Sequence, residues 1–438
     1  MLLDPPVRAG ARPSATRVRR LGGAALWLIA ASLAVRMAVL AAQGLDRPAN
    51  GFVTYYTAAR LVLGGEPLAG LYERAWFAER IKQYEPTVYD FFRPNPPPAA
   101  LIVAPVALLP YRTARAAWVW LNLAAYVAIV LYLGRAAGFG RLALPAFVCL
   151  AFAFQSIHDV LRNGQVYVLV LALAVVAWRG YLRRREAELG GALAVLGTFK
   201  VMGVWIVAQL VAERRWRALA WTAVVGLVIV LASLPLVGVP SWIAAVGGIV
   251  AVPGEFGLSV TAYQSLYGFF HHLFTPVTLY NPRPLVNAPA LATALSWLSV
   301  IVVVGTSAFV AARRRGDDVV MAAFVLVGLL VMPVSASTHY LIALLAVAIL
   351  LARLGRNPAR LHAAMLCAGI IAMMAEVPFK SPRLAEGVVT LLAYPKLYGA
   401  LVLWALALRL AWLGPLPQSV PARAAAPAHG RPPRSAVS

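Results

Sequence analysis

Apolar residues run along this chain in long blocks, and basic residues punctuate most of the gaps between them. The clearest blocks cover 21–43, 115–134, 142–157, 166–182, 217–237, 288–312, 318–335, 339–354, 361–376 and 386–413. About 20 apolar residues in helical form cross a bilayer core, so each block predicts a membrane helix. Two further pieces are ambiguous. The stretch 97–110 is short and broken by Pro105 and Pro110, and 188–212 is interrupted by Lys200.

The basic clusters decide both cases. They lie at 8–20, 135–141, 183–185, 214–217, 313–315, 353–360 and in the tail. Positive loops stay on the cytoplasmic side. All of these clusters share one side only if 97–110 does not cross and 188–212 crosses twice, with Lys200 at the outer turn. The pattern then predicts an all-α polytopic membrane protein of about twelve crossings with both termini cytoplasmic. Segment 1–20 is a basic N-terminal stretch, 21–413 the membrane domain, and 414–438 a Pro-, Ala- and Arg-rich disordered tail. Two long segments, 44–114 and 238–287, face outward. The first is far longer than a bundle needs, and loops of that length are kept for function.

Composition supports the bilayer reading. Hydrophobic residues make up 61% of the 438 and charged residues 13%, and the mean hydropathy is +0.77. The formal net charge of +23 follows from the basic loop clusters, so it marks topology and not nucleic acid. Cys149 and Cys367 both sit inside apolar blocks, without metal-site spacing. The first block contains Arg36 and no clear small-residue cleavage site, so it reads as a retained span. Phosphate-loop, dinucleotide-fold, HExxH, GxSxG and CxxC patterns are missing, which removes support for nucleotide and zinc-hydrolase chemistry.

The remaining polar residues gather on the outer side. Asp46 follows the first span, and a carboxylate beside an open site can take a proton from a hydroxyl. Tyr55 and Tyr56 suit interfacial anchoring, and Thr57–Leu63, with Arg60, suits a helix on the membrane surface. Arg93 and Asn95 precede three prolines that fix the backbone and aim both side chains. His158, Asp159, Arg162 and Gln165 share one expected outer turn. Arg162 with Gly164-Gln165 at a helix start suggests a phosphate corner. Lys200, between two apolar half-helices, is costly unless used. Lys200 and Arg162 on one face suggest an anionic ligand. Gln264 lies mid-loop, His339 opens a span as a donor to phosphate or sugar, and Glu376 with Lys380 forms an expected surface pair.

Taken in order, several short pieces resemble the polyprenyl-phosphate-dependent glycosyltransferases of family 87, which include bacterial mannosyltransferases. The pieces are Tyr55-Tyr56-x-Ala-Ala-Arg60, Gly64-Gly65 through Leu71-Tyr72, Pro96-Pro97-Pro98-Ala-Ala-Leu and Pro105-x-x-Leu-Leu-Pro110-Tyr111. Gly164-Gln165, Lys200, Gln264-Ser265-Leu266 and His339 follow. The resemblance implies a GT-C-like bundle at a bacterial inner membrane, with its site on the outer face. It implies inverting transfer of a hexose, mannose-like, from a polyprenyl-phosphate sugar to a lipid or glycan acceptor. No further cofactor is required and no nucleic acid is involved. The carboxylate base falls to Asp46, with donor or acceptor contacts from Tyr56, Arg60, Arg93, Asn95, Arg162, Gln165, Lys200, Gln264 and His339.

One departure stands out. The family's acid sits four residues ahead of the tyrosine pair, and here that position is Gly51. Either Asp46 substitutes for it, or Asp90 or Asp159 does, or transfer is lost. A protein without transfer would bind or move lipid phosphates on the same scaffold, or serve only as a membrane scaffold.

Overall fold

The computed structural model describes residues 15–66, 68–200, 203–255, 260–277, 281–355, 358–376, 382–384 and 386–414. The N-terminal stretch before Ala15, the tail after Gly414 and Lys380 of the expected Glu376 pair lie outside these residues. The described residues are helical, in the order α1 (Ala15–Gly44), α2 (Phe52–Leu63), α3 (Arg74–Ile81), α4 (Ala104–Ala107), α5 (Tyr111–Ala136) and α6 (Ala143–Ala153). There follow α7 (Gln155–Asn163), α8 (Tyr167–Leu182), α9 (Glu186–Phe199), α10 (Val204–Glu213), α11 (Trp216–Val237) and α12 (Val239–Glu255). The last six are α13 (Leu266–Phe274), α14 (Pro289–Arg313), α15 (Asp318–Val331), α16 (Ala343–Leu354), α17 (Arg360–Met374) and α18 (Pro395–Leu413).

Among the described residues, six helices are long and apolar enough to cross a bilayer, or seven if the bent pair α6–α7 counts as one. The expected twelve is reached only by counting shorter apolar helices such as α8, α10, α15 and α17. The protein is a multi-pass membrane protein. Helix α15 is buried all round from Val319 to Val331, and α16 from Ala343 to Leu350. Helices apolar on every face belong in the centre of a bundle. Helices α11 and α14 lie outside and expose apolar rows, Trp221, Val224, Leu227, Val228 and Leu231 on one, Trp297, Leu298 and Ile301 on the other. Lipid is the solvent such rows require.

The stretch 97–110 forms one 3-10 turn, Pro97–Leu101, and the four-residue α4. Its prolines stop any longer helix. The stretch 188–212 is two helices, α9 and α10, and Lys200 caps the first in extended conformation. Two expectations are corrected, and one further segment gains helices. The block 142–157 is not one straight span, because Phe154 is extended (ψ 119°) and the chain bends by 49° there. The expected turn at 158–165 is instead the strongly amphipathic α7. The segment 238–287 carries two helices, α12 and α13.

The segment 44–114 builds a core of its own. Phe52, Val53, Tyr55, Leu71, Tyr72, Phe77, Ile81, Phe92 and Val103 pack together and against Val166 and Val237 of the bundle. Three tyrosine rings, Tyr56, Tyr84 and Tyr111, meet with centroids 4.9–5.7 Å apart. Offset and edge contacts of this kind add to the area they bury. This second core fixes the segment to the bundle.

The two ends of the bundle differ chemically. At one end Arg215 pairs with Glu186 at 2.6 Å and Arg353 with Asp317 at 3.0 Å, and Arg179 pairs with Glu188. Tyr181 Oη donates to Glu213 at 2.8 Å. The basic clusters 183–185, 214–217, 313–315 and 353 therefore converge, as the charge pattern requires. Tyr167 opens α8 at the other end, about 21 Å away along the helix from Tyr181.

Candidate active site

That other end holds a cavity of about 290 Å³. Its polar lining is Thr54, Asp90, Arg93, Asn95, Gln165, Tyr167, Lys200 and His339, and its apolar walls include Val204, Trp205, Met332, Pro333 and Val334. Each side chain arrives from a chain break. Lys200 stands at the α9–α10 break, His339 in the 3-10 turn Ser337–Ile342 before α16, and Tyr167 at the start of α8.

Asp90 is held firmly. Its Oδ2 accepts from Thr54 Oγ1 at 2.5 Å and from the Gly51 amide at 3.1 Å. Its Oδ1 accepts from the Phe91 amide at 2.9 Å. Burial pushes its pKa above the ordinary value, opposed by the Thr54, Phe91 and Gly51 hydrogen bonds and by the Lys200 charge. Residue 51 can supply that amide because it is glycine. Its φ is +105°, and a Cβ there would lie 2.4 Å from Gln165 Nε2.

Lys200 Nζ sits 5.2 Å from the Tyr167 ring centre and 5.8 Å from that of Tyr55. Two ring faces replace part of the water an ammonium would lose there. Tyr167 Oη lies 2.6 Å from His339 Nε2, so one tyrosine joins both residues. Tyr55 Oη donates to Asn95 Oδ1 at 3.3 Å, and Asn95 Nδ2 donates to Phe92 O at 2.6 Å. The Arg93 stem passes α12 at Gly248, where a Cβ would come within 3.3 Å of it.

A second, larger cavity of about 810 Å³ adjoins the first, with Gln165 lining both. Gly164 places that glutamine. It ends α7 at φ +62°, and a Cβ there would lie 2.4 Å from Phe52 Cβ.

The structure brings together Arg93, Asn95, Gln165, Lys200 and His339 among the residues expected from sequence. Asp46 is exposed and lines neither cavity, and the carboxylate in the smaller one is Asp90. Arg162 lines only the second cavity, so it does not share an anion site with Lys200. Asp159 lines that cavity too. Gln264 borders it, but its amide is engaged with Thr261 O, Ala393 O and the Lys396 amide. Tyr56 and Arg60 line neither. Tyr56 Oη donates to Leu109 O at 2.9 Å and Arg60 Nη1 to Ala107 O at 3.3 Å, which ties α2 to α4. Sequence reasoning missed Tyr167 and Thr54. The position of Tyr167 two residues after Gln165, at the start of an apolar helix, was the available signal.

The described residues form an all-helical membrane protein that brings a carboxylate and a lysine into one cavity, at the end opposite its arginine clusters. The sequence profile described as Glycosyltransferase family 87 matches residues 92–338, more than half of the chain. The chain belongs to that family. It is also similar to proteins named alpha-(1->3)-arabinofuranosyltransferase from Mycobacterium tuberculosis strains CDC 1551 and H37Rv, each 30% identical over 161 residues. Each match covers 35% of this chain and 37% of the relative, so the chain spans little more than a third of the length of these relatives.

Proposed function

We propose that this protein transfers a sugar from a polyprenyl-phosphate donor to a lipid or glycan acceptor, with inversion, and that Asp90 is the base. The observation that carries this reading is the joint placement of Asp90 and Lys200 in one cavity with apolar walls. The apolar side, Trp205, Val204 and Met332, suits an isoprenoid chain, and the cationic side suits its phosphate. Asp90 takes the acceptor hydroxyl proton. The oxygen bonds to the anomeric carbon, and the anomeric carbon–phosphate oxygen bond breaks with its electron pair leaving on the phosphate. Lys200 and Arg93 neutralise the charge that grows on that phosphate, and His339 lines the same cavity as a neutral polar group. No cofactor beyond the lipid-linked donor enters these steps. The convergence of the arginine clusters at the far end supports a cytoplasmic position for that end and an outer position for the site, in a bacterial inner membrane.

The family membership supports glycosyl transfer, and the names of the mycobacterial relatives bring a pentofuranose into consideration beside the mannose-like hexose. The test is transfer by the full chain in nanodiscs from polyprenyl-phosphate mannose and from polyprenyl-phosphate arabinofuranose. Transfer from either, lost in Asp90→Asn, is the expected result. Donor binding without transfer from any donor would instead favour a lipid-phosphate carrier.

A further inference from the structure

The second cavity is built differently from the first. Two acids, Asp159 and Glu376, face two bases, Arg162 and Lys396, and both acids interact with the Lys396 charge. The formal charges of these four cancel, so they give the cavity no net positive charge to draw in an anion such as a phosphate. Around them stand Asn50, Asn163, Thr261, Ser337 and Thr338. Thr261 is 3% exposed, and its Oγ1 is buried without a hydrogen-bond partner, as is Ser337 Oγ. Buried hydroxyls without a partner cost stability, and both belong to residues that line this cavity.

The cavity also shares its partition with the base. Asn50 lines the second cavity and Gly51 the first, Thr338 lines the second and His339 the first, and Gln165 lines both. The Gly51 amide in this partition is the one that holds Asp90 Oδ2. The residue that holds Asp90 is therefore the chain neighbour of one that lines the second cavity.

We infer that the second cavity binds the neutral, polyhydroxylated sugar ring of the acceptor and presents one hydroxyl past Gln165 to Asp90. This rests on the transfer reaction proposed above. Carboxylates accept from ring hydroxyls while Lys396, Arg162 and the asparagine amides donate to ring oxygens. The volume of about 810 Å³ accommodates more than one ring.

Two measurements on the full chain in nanodiscs test it. The first is equilibrium binding of radiolabelled octyl mannoside and octyl arabinofuranoside without donor. Binding by the wild type, weakened about tenfold in Asp159→Asn and in Glu376→Gln, is expected for the loss of one charged hydrogen bond. Octyl sulfate serves as the anionic comparison and is expected to bind no better than octanol. The second is the kinetic split with a polyprenyl-phosphate sugar. The same variants raise the KM of the octyl glycoside about tenfold and move the donor KM less than about twofold. A raised donor KM with an unchanged acceptor KM overturns the assignment, as does tighter binding of octyl sulfate than of the glycosides. Glycoside binding that responds to the variants while no donor yields transfer sinks the transferase reading and leaves the sugar site standing. Glu376 is exposed, so its variant reports even if Asp159→Asn fails to fold.

Discussion

Asp90 Oδ2 accepts a 3.1 Å hydrogen bond from the amide of Gly51, a residue 39 positions earlier in the chain. The position where the family resemblance leads one to expect an acid is therefore hydrogen-bonded to a carboxylate from another part of the segment 44–114. Asp90→Asn keeps the shape and removes the proton acceptor. Transfer is expected to fall about 10²- to 10⁴-fold, the usual worth of a general base. Asp46→Asn, on the exposed turn after α1, is expected to leave transfer within about threefold of wild type. Initial rates with a lipid-linked donor separate the two, and equal losses would return the base to Asp46.

Gly51 is as constrained as Asp90. Gly51→Ala must hold a side chain at φ +105° and push Gln165 Nε2 from 2.4 Å. The expected cost is about 1–3 kcal/mol of stability from backbone strain alone, read as a lower melting temperature in detergent. An unchanged melting temperature would mean that α2 begins elsewhere.

The acid limb of the pH–rate profile should report Asp90. Burial raises its pKa, and only the ionised form accepts a proton, so activity is expected to fall on acidification at a pH above the ordinary carboxylate range. Thr54→Val removes a hydrogen bond that lowers this pKa, and Lys200→Met removes a charge that lowers it. Both variants are expected to move the limb to still higher pH. A limb that moves down in either variant would contradict the arrangement.

Much of this was readable in the chain because it is local. The break at Lys200 follows from one charge in an apolar block and from the parity of the arginine clusters, and the failure of 97–110 to form a long helix follows from its prolines. The proposed base was not readable. Proximity to the first span favours Asp46, but the segment 44–114 folds on its own core of Phe52, Tyr72, Phe77 and Phe92 and returns Asp90 to the start of α2. That return depends on packing among residues tens of positions apart. The same limit applies to Arg162 and Gln264, whose residue types suit a ligand. The bend at Phe154 sends Arg162 toward the second cavity, and three backbone groups occupy the Gln264 amide.

Lys200 and Tyr167 should separate by kinetics. Lys200→Met removes the positive charge proposed to face the leaving phosphate, and kcat is expected to drop about 10²- to 10³-fold. Tyr167→Phe keeps the ring under the Lys200 ammonium and deletes only the hydroxyl that meets His339 at 2.6 Å. A loss of about tenfold, the size of one hydrogen bond, is expected. If Tyr167→Phe were as damaging as Lys200→Met, the tyrosine hydroxyl itself would be placed on the reacting group.

The opposite end of the bundle offers a test of stability without chemistry. Asp317 is 1% exposed, caps α15 through the Val319 amide at 3.1 Å, and pairs with Arg353 of α16 at 3.0 Å. Removing one member of such a pair strands a buried charge, at a cost of about 3–5 kcal/mol. Arg353→Met is therefore expected to lower the melting temperature of the detergent-solubilised protein, whereas Asp317→Asn, which keeps the cap acceptor and removes the charge, should cost less. The site lies at the other ends of α15 and α16, so the folded fraction of Arg353→Met is expected to retain wild-type KM values. A change in KM at full folding would mean that the two ends of these helices are coupled.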